Sequence, residues 1–446
     1  MSRRAPVLLL AAALLLSSLT SALSTASTTV ADEIDCAWPI VTDPDRTNLA
    51  YPDTDATYWT TPYRVEPDTR LILDGNYAEA RFMSFNTYDT TGGAFTVNDV
   101  PSGIYDYEIE PDAGSRNPWQ ERVKHITDAN SNFTVTIASD VDTSQSNTIP
   151  LAPIGTEDGS IGYVLLRVYL PKNADFSAVE LPSVTIESST GTRSLQPCET
   201  QQQRAPSKAI RTLLKQAASK VVGTQVMAAA APCRGSACPP DLQFARASAA
   251  TTNSVFPNSA SAYVSALFRP DRKKVVLVRG RAPRTPRQPP GTEPKPWPSA
   301  KYQLRYFSLC NNVYKRPWPV IINTLPNGGQ DVGCRADSQT TLDSKGRYTY
   351  VVAAQSQKRA VSRFDDVTFI PTSKKYKRFR EVLIFRNMLS NPNFRRSALN
   401  APQNRSAAGA AKAMGKYYPR AVSCALSTYL AQGPNHCFRT AVHGRG

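Results

Sequence analysis

Four carboxylates alternate along one short segment of the chain: Asp106, Glu108, Glu110 and Asp112. Because the side chains of an extended segment point alternately to its two faces, this spacing predicts that all four lie on one face. Such a row of oxygens could bind calcium or supply the paired carboxylates of a hydrolase. The segment lacks the twelve-residue calcium loop with its glycine and closing glutamate. We expect a solvated strand edge with no resident cofactor, and calcium binding or catalysis as alternatives.

Histidine-based catalysis is poorly supplied, because the 446 residues include only 3 histidines. These are His125, His436 and His443. No nucleophile elbow, zinc-protease motif, Walker loop or dinucleotide-binding fingerprint occurs in the chain. We therefore predict neither a catalytic residue nor a metal ligand.

Four arginines stand at matched places in two similar parts of the chain: Arg81 and Arg305, and Arg167 and Arg386. Each lies within an otherwise apolar stretch, where burying a charge is costly unless it is paired. Either each arginine pairs with a carboxylate inside its own sheet, or each points into a pocket and binds an anionic group. All four are candidate ligand-binding residues on the second interpretation.

One basic segment interleaves cations with aromatic rings: Lys374, Lys375, Tyr376, Lys377 and Arg378, followed by Phe379 and Arg380. This composition suits contact with backbone charge and stacking on rings. A second basic segment, residues 279–301, is proline-rich and is expected to be extended. The first segment supplies the remaining candidate ligand-binding residues.

The elements that carry these residues occur twice. The stretch from Tyr51 to Gly75, YPDTDATYWTTPYRVEPDTRLILDG, aligns without a gap on FPNSASAYVSALFRPDRKKVVLVRG, Phe256 to Gly280. Further matches join 81–85 to 305–309, 132–137 to 347–352 and 165–170 to 384–389. We interpret the protein as two copies of one domain. Four positions of the first alignment are identical: Pro52/Pro257, Tyr58/Tyr263, Arg64/Arg269 and Gly75/Gly280.

Short aromatic and β-branched runs separated by glycine, proline and aspartate turns predict a mainly β protein. The fold class we expect is two tandem antiparallel β-sandwich or jelly-roll-like domains, joined by a helical linker and followed by short C-terminal helices. The expected boundaries are a signal peptide at 1–31, an acidic sandwich at 32–200, a linker at 201–240 and a basic sandwich at 241–446. Helical spacing places the linker helix within 206–231 and a further short helix at 422–430.

The N-terminus has the pattern of an export signal, with Arg3 and Arg4 before the apolar core Val7–Leu16. The general secretory and twin-arginine routes both stay open. The 8 cysteines are an even number, as oxidising compartments favour. Short spacing and the two-domain interpretation favour the pairs Cys36–Cys198, Cys233–Cys238, Cys310–Cys334 and Cys424–Cys437, out of 105 combinatorial pairings. We expect a secreted or envelope-associated protein with no transmembrane segment after signal cleavage.

The net charge of +16 conceals a division along the chain. From Asp32 to Glu199, 27 acidic residues face 10 basic ones, a balance of −17; from Thr200 onward 9 face 40, a balance of +31. The two domains could face each other with opposite fields, or the basic domain could bind an external polyanion such as a wall polymer, an acidic lipid surface or nucleic acid. An exported location argues against nucleic acid.

The segments ARFMSFNTYD (80–89), PDAGSRNPW (111–119) and YVLLRVYLP (163–171) resemble a group of exported bacterial proteins of unknown function. The first copy also resembles β-sandwich domains that carry a W-S-x-x-x-Y-D strand and a later R-x-Y-x-P strand. Met83 stands where that pattern has tryptophan, while Ser84, Tyr88, Asp89, Arg167, Tyr169 and Pro171 match. This resemblance implies the fold and no reaction.

These observations favour a non-catalytic binding protein whose basic domain contacts a polyanion or a partner protein. The alternative is a secreted hydrolase that acts on an envelope or extracellular polymer through carboxylates of the acidic domain. Two carboxylates at a cleft near Arg81 or Arg167 would favour the enzyme.

Overall fold

A computed structural model describes residues 34–48, 50–121, 130–200, 203, 242–247, 256–286 and 295–443. The expected signal peptide, the expected linker helix within 206–231 and the expected pair Cys233–Cys238 lie outside these residues.

The first half of the described chain consists of short strands with 3₁₀ turns at Lys172–Ala174 and Phe176–Ala178. The strands are β1 Ile40–Thr42, β2 Ala56–Val65, β3 Arg70–Asn76, β4 Ala80–Tyr88, β5 Thr96–Val97, β6 Val100–Pro101, β7 Gly103–Tyr105, β8 Asn132–Ala138, β9 Thr148–Pro150, β10 Ser160–Pro171, β11 Ser183–Ser188 and β12 Gly191–Leu195. They form two five-stranded sheets with the orders β1-β2-β10-β4-β7 and β12-β11-β3-β8-β9, and a separate ribbon of β5 and β6.

The second half adds three short helices and 3₁₀ turns at Asp337–Gln339, Gln355–Gln357, Ala398–Asn400 and Gly415–Tyr417. Its elements are β13 Ser261–Phe268, β14 Lys274–Arg281, β15 Leu304–Val313, β16 Ile322–Thr324, β17 Gln330–Val332, β18 Cys334–Ala336, β19 Arg347–Ala354, α1 Lys358–Val361, β20 Thr368–Thr372, β21 Glu381–Ser390, α2 Ala407–Met414, β22 Arg420–Ala425 and α3 Leu426–His443. The main sheets have the orders β13-β21-β15-β18 and β20-β19-β14-β22, and β16 pairs with β17.

The two halves repeat one topology. The order β2-β10-β4-β7 corresponds to β13-β21-β15-β18, and β11-β3-β8-β9 corresponds to β22-β14-β19-β20. Even the exceptions agree, because β8 pairs with β9 in parallel and β19 pairs with β20 in parallel, while the other pairs are antiparallel. The strands that the sequence alignment matches thus hold equivalent positions. The protein is mainly β, as expected, and the two halves are called the first and second sandwich below.

Alternating side chains build a core between the two sheets of each sandwich. In the first, Met83 and Phe85 of β4 meet Leu71 and Phe133 of the facing sheet. In the second, Phe307 of β15 and Phe385 of β21 pack with Tyr348 of β19 at ring distances of 6.2 and 5.6 Å. The repeated glycine of β3 and β14 follows from this packing. A Cβ on Gly75 would lie 2.9 Å from Pro182, and one on Gly280 would overlap the Tyr348 hydroxyl.

The C-terminal segment corrects one local expectation. Residues 422–430 were expected to form a short helix, but β22 continues to Ala425 and α3 begins at Leu426. A strand forms here instead of a helix because it completes the sheet, pairing with β14 from Lys274↔Ala425 to Arg279↔Arg420. Helix α3 is interrupted at Gly433, whose φ is 76°, immediately before Pro434.

Three of the predicted disulfides are confirmed: Cys36–Cys198, Cys310–Cys334 and Cys424–Cys437. The first joins the two ends of the first sandwich across 162 residues. Beside it, the Ala37 amide donates to the Gln196 carbonyl at 2.8 Å, and the Cys198 amide donates to the Ala37 carbonyl at 2.8 Å. The described residues contain no free cysteine.

The two sandwiches pack against each other through β4 and β10 on one side and β15 and β21 on the other. All nine residues of β4 are buried, because one face of the strand lines its own core and the other lines this contact. Phe82 and Tyr169 of the first sandwich share an apolar cluster with Tyr306 and Met388 of the second, and the rings of Tyr169 and Tyr306 lie 5.3 Å apart.

Each sandwich also sends the segment before its first long strand onto the other. Tyr51 packs with Val382 and Ile384 of β21, while its counterpart Phe256 stacks edge-on against Tyr88 and Tyr163. Both residues have positive φ, 60° and 53°. We call residues 50–55 and 256–260 the exchanged arms. The two sandwiches therefore exchange equivalent arms in a pseudo-twofold arrangement. Each sheet at the contact is fully covered only when the arm of the other sandwich packs on it.

Candidate anion-binding site

Arg81 and Arg305 form reciprocal ion pairs between the sandwiches. Arg81 Nη1 lies 3.0 Å from the Asp337 carboxylate, and Arg305 Nη1 lies 2.8 Å from the Asp106 carboxylate. Asp106 follows β7 and Asp337 follows β18, so the two aspartates are also counterparts. From the sequence, each arginine was expected to pair with a carboxylate of its own sheet or to bind an anionic ligand. Neither alternative included a carboxylate from the other copy.

Arg167 and Arg386 hold the exchanged arms. Arg386 donates to Asp53, whose carboxylate also accepts hydrogen bonds from the hydroxyls of Tyr306 and Ser308 at 2.8 Å each. Asn258 occupies the position of Asp53 in the other arm, and Arg167 instead donates to the Phe256 carbonyl at 2.9 Å.

The repeated tyrosines accompany these two arginines. The Tyr58 ring lies 5.8 Å from the Arg167 guanidinium and the Tyr263 ring lies 5.2 Å from that of Arg386, which explains why this tyrosine appears in both copies.

Burial removes these four arginines from the set of accessible ligand-binding groups. Arg81, Arg167, Arg305 and Arg386 are 4, 2, 2 and 3% exposed, and each is held by groups of the other sandwich. The four arginines are buried because the contact between the sandwiches covers the middle of β4, β10, β15 and β21.

The alternating carboxylates do not form one row. Strand β7 ends at Tyr105, and the chain turns there because the Glu108 amide donates to the Tyr105 carbonyl at 2.8 Å. Asp106 is buried against Arg305, while Glu108 and Glu110 are exposed. The expected extended face is therefore wrong, and the segment does not gather its oxygens as the calcium alternative requires.

Close metal-ligand groups are scarce in the described part of the chain. The one cluster of three potential ligand residues there is Asp53, Cys310 and Cys334. The two cysteines are bonded to each other, so their thiolates are not free to coordinate an ion.

The predicted basic segment forms an exposed loop between β20 and β21. Lys374, Lys375, Lys377 and Arg378 are exposed, and the Tyr376 ring is half-buried against Phe379 at 6.2 Å. The loop is anchored at its start, where the Ser373 amide donates to Glu381 at 2.8 Å and the Lys374 amide donates to Asn323 at 2.9 Å.

A neighbouring loop extends this surface. The Tyr314 amide donates to the Arg380 carbonyl at 2.8 Å, which places residues 314–318 beside residues 374–380. Lys315 Nζ lies 4.3 Å from the centre of the Phe379 ring, and the Arg380 guanidinium lies 5.6 Å from the Tyr314 ring. We call residues 314–318 and 374–380 the aromatic–cationic surface.

Beside it, the second sandwich has an open end between its two sheets. A cavity of about 430 Å³ lies there, with five cationic side chains among its lining residues. They are Arg269, Arg272, Lys274, Lys374 and Lys377. All five are exposed, and among the described residues the single nearby carboxylate that lines the cavity is Asp271. We call this end of the sandwich the basic mouth.

The same end of the first sandwich has the opposite charge. Glu66 and Asp68 follow β2 there, and Glu157 and Asp158 lie in the loop before β10. The Gly159 amide donates to the Val65 carbonyl at 2.8 Å, which holds these two segments together. Arg64 lies 3.8 Å from Glu66. Because the two ends share one fold, the fold itself does not require the positive charge of the basic mouth.

Sequence interpretation found Lys374 and Lys377 but not Arg269, Arg272 and Lys274. The available signals were the identical pair Arg64/Arg269 and the replacement of Asp68 by Lys273 in the aligned repeat. These residues lie about 100 positions before the basic loop, and only the strand order brings the two segments to one end of the sandwich.

Glu381 links the pH to the anchoring of the basic loop. Burial raises the pKa of Glu381 to about 7, although hydrogen bonds from Ser373 and Asn311 oppose the shift. Between its ordinary pKa and this value the folded protein binds more protons than the unfolded chain, so the free energy of unfolding falls as the pH rises. Burial also raises the pKa of Asp55 to about 7 and of Asp106 to about 6, so these two groups contribute a slope of the same sign.

Between pH 4.5 and 8, the free energy of unfolding of Glu381→Gln is expected to fall by about 3 kcal/mol less than that of the parent protein. This value follows from the shift in the pKa of Glu381, at about 1.36 kcal/mol per pKa unit. Glutamine keeps an acceptor for the Ser373 amide, so the loop stays anchored. Urea unfolding at several pH values measures the slope, with the exposed Glu157→Gln as the control. Equal slopes for Glu381→Gln and the parent protein would contradict the assignment.

No family model and no curated protein matches the chain. Among solved structures, an uncharacterized protein from Burkholderia cenocepacia is 11% identical with a TM-score of 0.49, covering 91% of this chain and 88% of its own. A protein from Vibrio parahaemolyticus is 12% identical with a TM-score of 0.39, covering 83% and 89%. At these values the similarities carry no information on function.

Proposed function

We propose that this chain is a secreted or envelope-associated binding protein that catalyses no reaction and contacts an anionic polymer through its second sandwich. The observation that carries the proposal is the contrast between the equivalent ends of the two sandwiches. One end presents Glu66, Asp68, Glu157 and Asp158, and the other presents the basic mouth and the aromatic–cationic surface beside it.

The exposed cations support binding of an external partner rather than of the first sandwich. The ion pairs between the sandwiches are local and buried, and Arg81–Asp337 runs against the net charges of the two halves. No ion pair engages Arg269, Arg272, Lys274 or Lys377 within the described residues, so these charges are available to a polyanion.

The location outside the cytoplasm is part of the proposal. Three disulfides fit an oxidising compartment. Within the described residues, no helix has the length and apolar character needed to cross a bilayer.

The test uses the full chain and fluorescently labelled inorganic polyphosphate, with binding followed by anisotropy at low and physiological salt. We expect salt-sensitive binding, and we expect Lys375→Glu/Arg378→Glu to weaken it by at least about tenfold, because each reversal removes one contact and adds a repulsion. Both side chains are exposed, so the fold should be unaffected.

The matched control is Arg395→Glu/Lys412→Glu, which makes the same change in net charge. Arg395 lies beyond the far end of the ten-residue strand β21, about 30 Å from the basic loop at 3.3 Å per residue. An equal loss in both double variants would mean that only net charge matters and would contradict the proposed surface. The proposal of a polyanionic ligand would be rejected if the parent protein bound no polyphosphate, or bound only a protein partner.

A further inference from the structure

The basic mouth has the size of a small-ligand site. Its volume of about 430 Å³ lies within the range of roughly 300–1,000 Å³ that such sites occupy. The cavity ends on the last layer of the sandwich core, where Val276 and Val352 are paired neighbours of β14 and β19 and Phe268 closes the opposite sheet. These three side chains are 8, 1 and 9% exposed. The floor is therefore apolar, shallow and packed.

Neutral hydrogen-bonding groups line the same cavity. They are supplied by Thr372, Gln355, Ser356 and Ser423. Ser423 lies directly beside Val276 in the sheet register, so its hydroxyl faces the same opening. The mouth thus combines an apolar patch, hydroxyl and amide groups, and five cations within one cavity.

We infer that the basic mouth binds one anionic sugar unit of the polymer, with its phosphate or carboxylate among the cations and its hydroxyls against the neutral groups. A pyranose ring carries hydroxyls around its edge, which match the neutral groups that line the cavity. Arg269, Arg272 and Lys274 supply donors for the charged substituent. This inference rests on the proposed function and names the ligand class of the same surface.

Two other anionic ligands fit less well. An acyl chain needs a deep apolar channel, and the floor is closed by core side chains with almost no exposed area. A nucleobase needs an open aromatic face for stacking, and the one aromatic ring that lines the cavity, Phe268, is 9% exposed.

The test is calorimetric titration of the full chain with four small probes: glucose 1-phosphate, glucuronate, methyl glucoside and inorganic phosphate. At least one of the two anionic sugars is expected to bind about tenfold more tightly than both methyl glucoside and inorganic phosphate. Which of them binds distinguishes a phosphorylated polymer from a carboxylated one. Inorganic phosphate binding as tightly as the tighter-binding anionic sugar, or no binding by either anionic sugar, would overturn the inference.

Two variants locate the site. Ser423→Trp fills the opening and should abolish sugar binding, while polyphosphate binding through the aromatic–cationic surface persists. Arg272→Gln/Lys274→Gln changes two exposed side chains and should weaken anionic-sugar binding about tenfold without affecting the fold. Unchanged sugar binding in this second variant would refute the assignment. Loss of polyphosphate binding in Lys375→Glu/Arg378→Glu is independent of both results, so failure of the sugar site and failure of the proposed function are distinguishable.

Discussion

Asp106→Ala is expected to lower the free energy of unfolding by about 3–5 kcal/mol, because it leaves the Arg305 guanidinium buried without its carboxylate. The Arg305 guanidinium lies 5.4 Å from the Trp119 ring and 5.9 Å from the Trp297 ring, and the residue is only 2% exposed, so little water can replace the carboxylate. The same substitution frees the Met83 amide, which donates to Asp106 at 2.7 Å. Urea unfolding of the parent and variant proteins measures the difference.

The double variant Asp106→Leu/Arg305→Met tests the mechanism of this loss. Removing both charges should recover much of the stability, since an apolar pair of similar volume avoids the desolvation cost. Glu121→Ala, which breaks the exposed Arg116–Glu121 pair, should leave the unfolding curve unchanged. A double variant no more stable than Asp106→Ala would show that the desolvated charge is not the cause.

Loss of the Cys36–Cys198 disulfide in Cys36→Ser/Cys198→Ser is the second large expected effect, about 5 kcal/mol of destabilisation. The bond closes a loop of 162 residues, and in the chain-entropy model a longer loop restricts the unfolded state more. The flanking backbone hydrogen bonds of Ala37 hold the native geometry without the bond, so the effect should come mainly from the unfolded chain.

Cys424–Cys437 supplies the matched comparison, because it closes only 13 residues. Its removal in Cys424→Ser/Cys437→Ser should cost about 3 kcal/mol. Denaturant unfolding of the two double variants under non-reducing conditions gives the comparison. Equal losses would argue that native-state contacts around each bond, rather than loop length, determine the stabilisation.

The positions of most strands along the chain, and their correspondence between the two copies, were accessible to sequence reasoning because they rest on signals within the sequence itself. Turn residues and alternating side chains mark most strands, and the ungapped repeat from Tyr51 to Gly75 fixes which strands correspond. Gly75 and Gly280 repeat because each strand passes too close to a neighbour for a Cβ. Turn residues and alternation act over a few residues, and a single sequence displays them.

The contact between the sandwiches was not accessible in this way. A buried arginine within a strand signals that a carboxylate is needed, but the partner of Arg81 lies 256 residues away and no local pattern points to it. Asp106 shows the converse error. Its alternation with Glu108 suggested a strand edge, but the chain turns after Tyr105, and the side chain enters the contact instead.

Only part of the basic mouth was identified from the sequence, for a related reason. Lys374 to Arg378 is a run of charges that composition alone identifies. Arg272 occurs in an ordinary strand-to-strand turn and Lys274 begins the strand that follows it, where charged residues are common. Their importance depends on the neighbouring loop, and that neighbourhood follows from the sheet order.

The exchanged arms have a consequence for how the chain is made. Synthesis proceeds from the N-terminus, and early domains generally fold while later ones are still being added. Here Asp53 cannot pair with Arg386 until that residue, 333 positions further on, has been synthesised. The first sandwich must therefore remain unfinished, with an unoccupied arm and an uncovered sheet face, until β21 has emerged. A chain cut short before that strand would expose the same surfaces permanently, and two such fragments could satisfy each other's arms between molecules instead of within one.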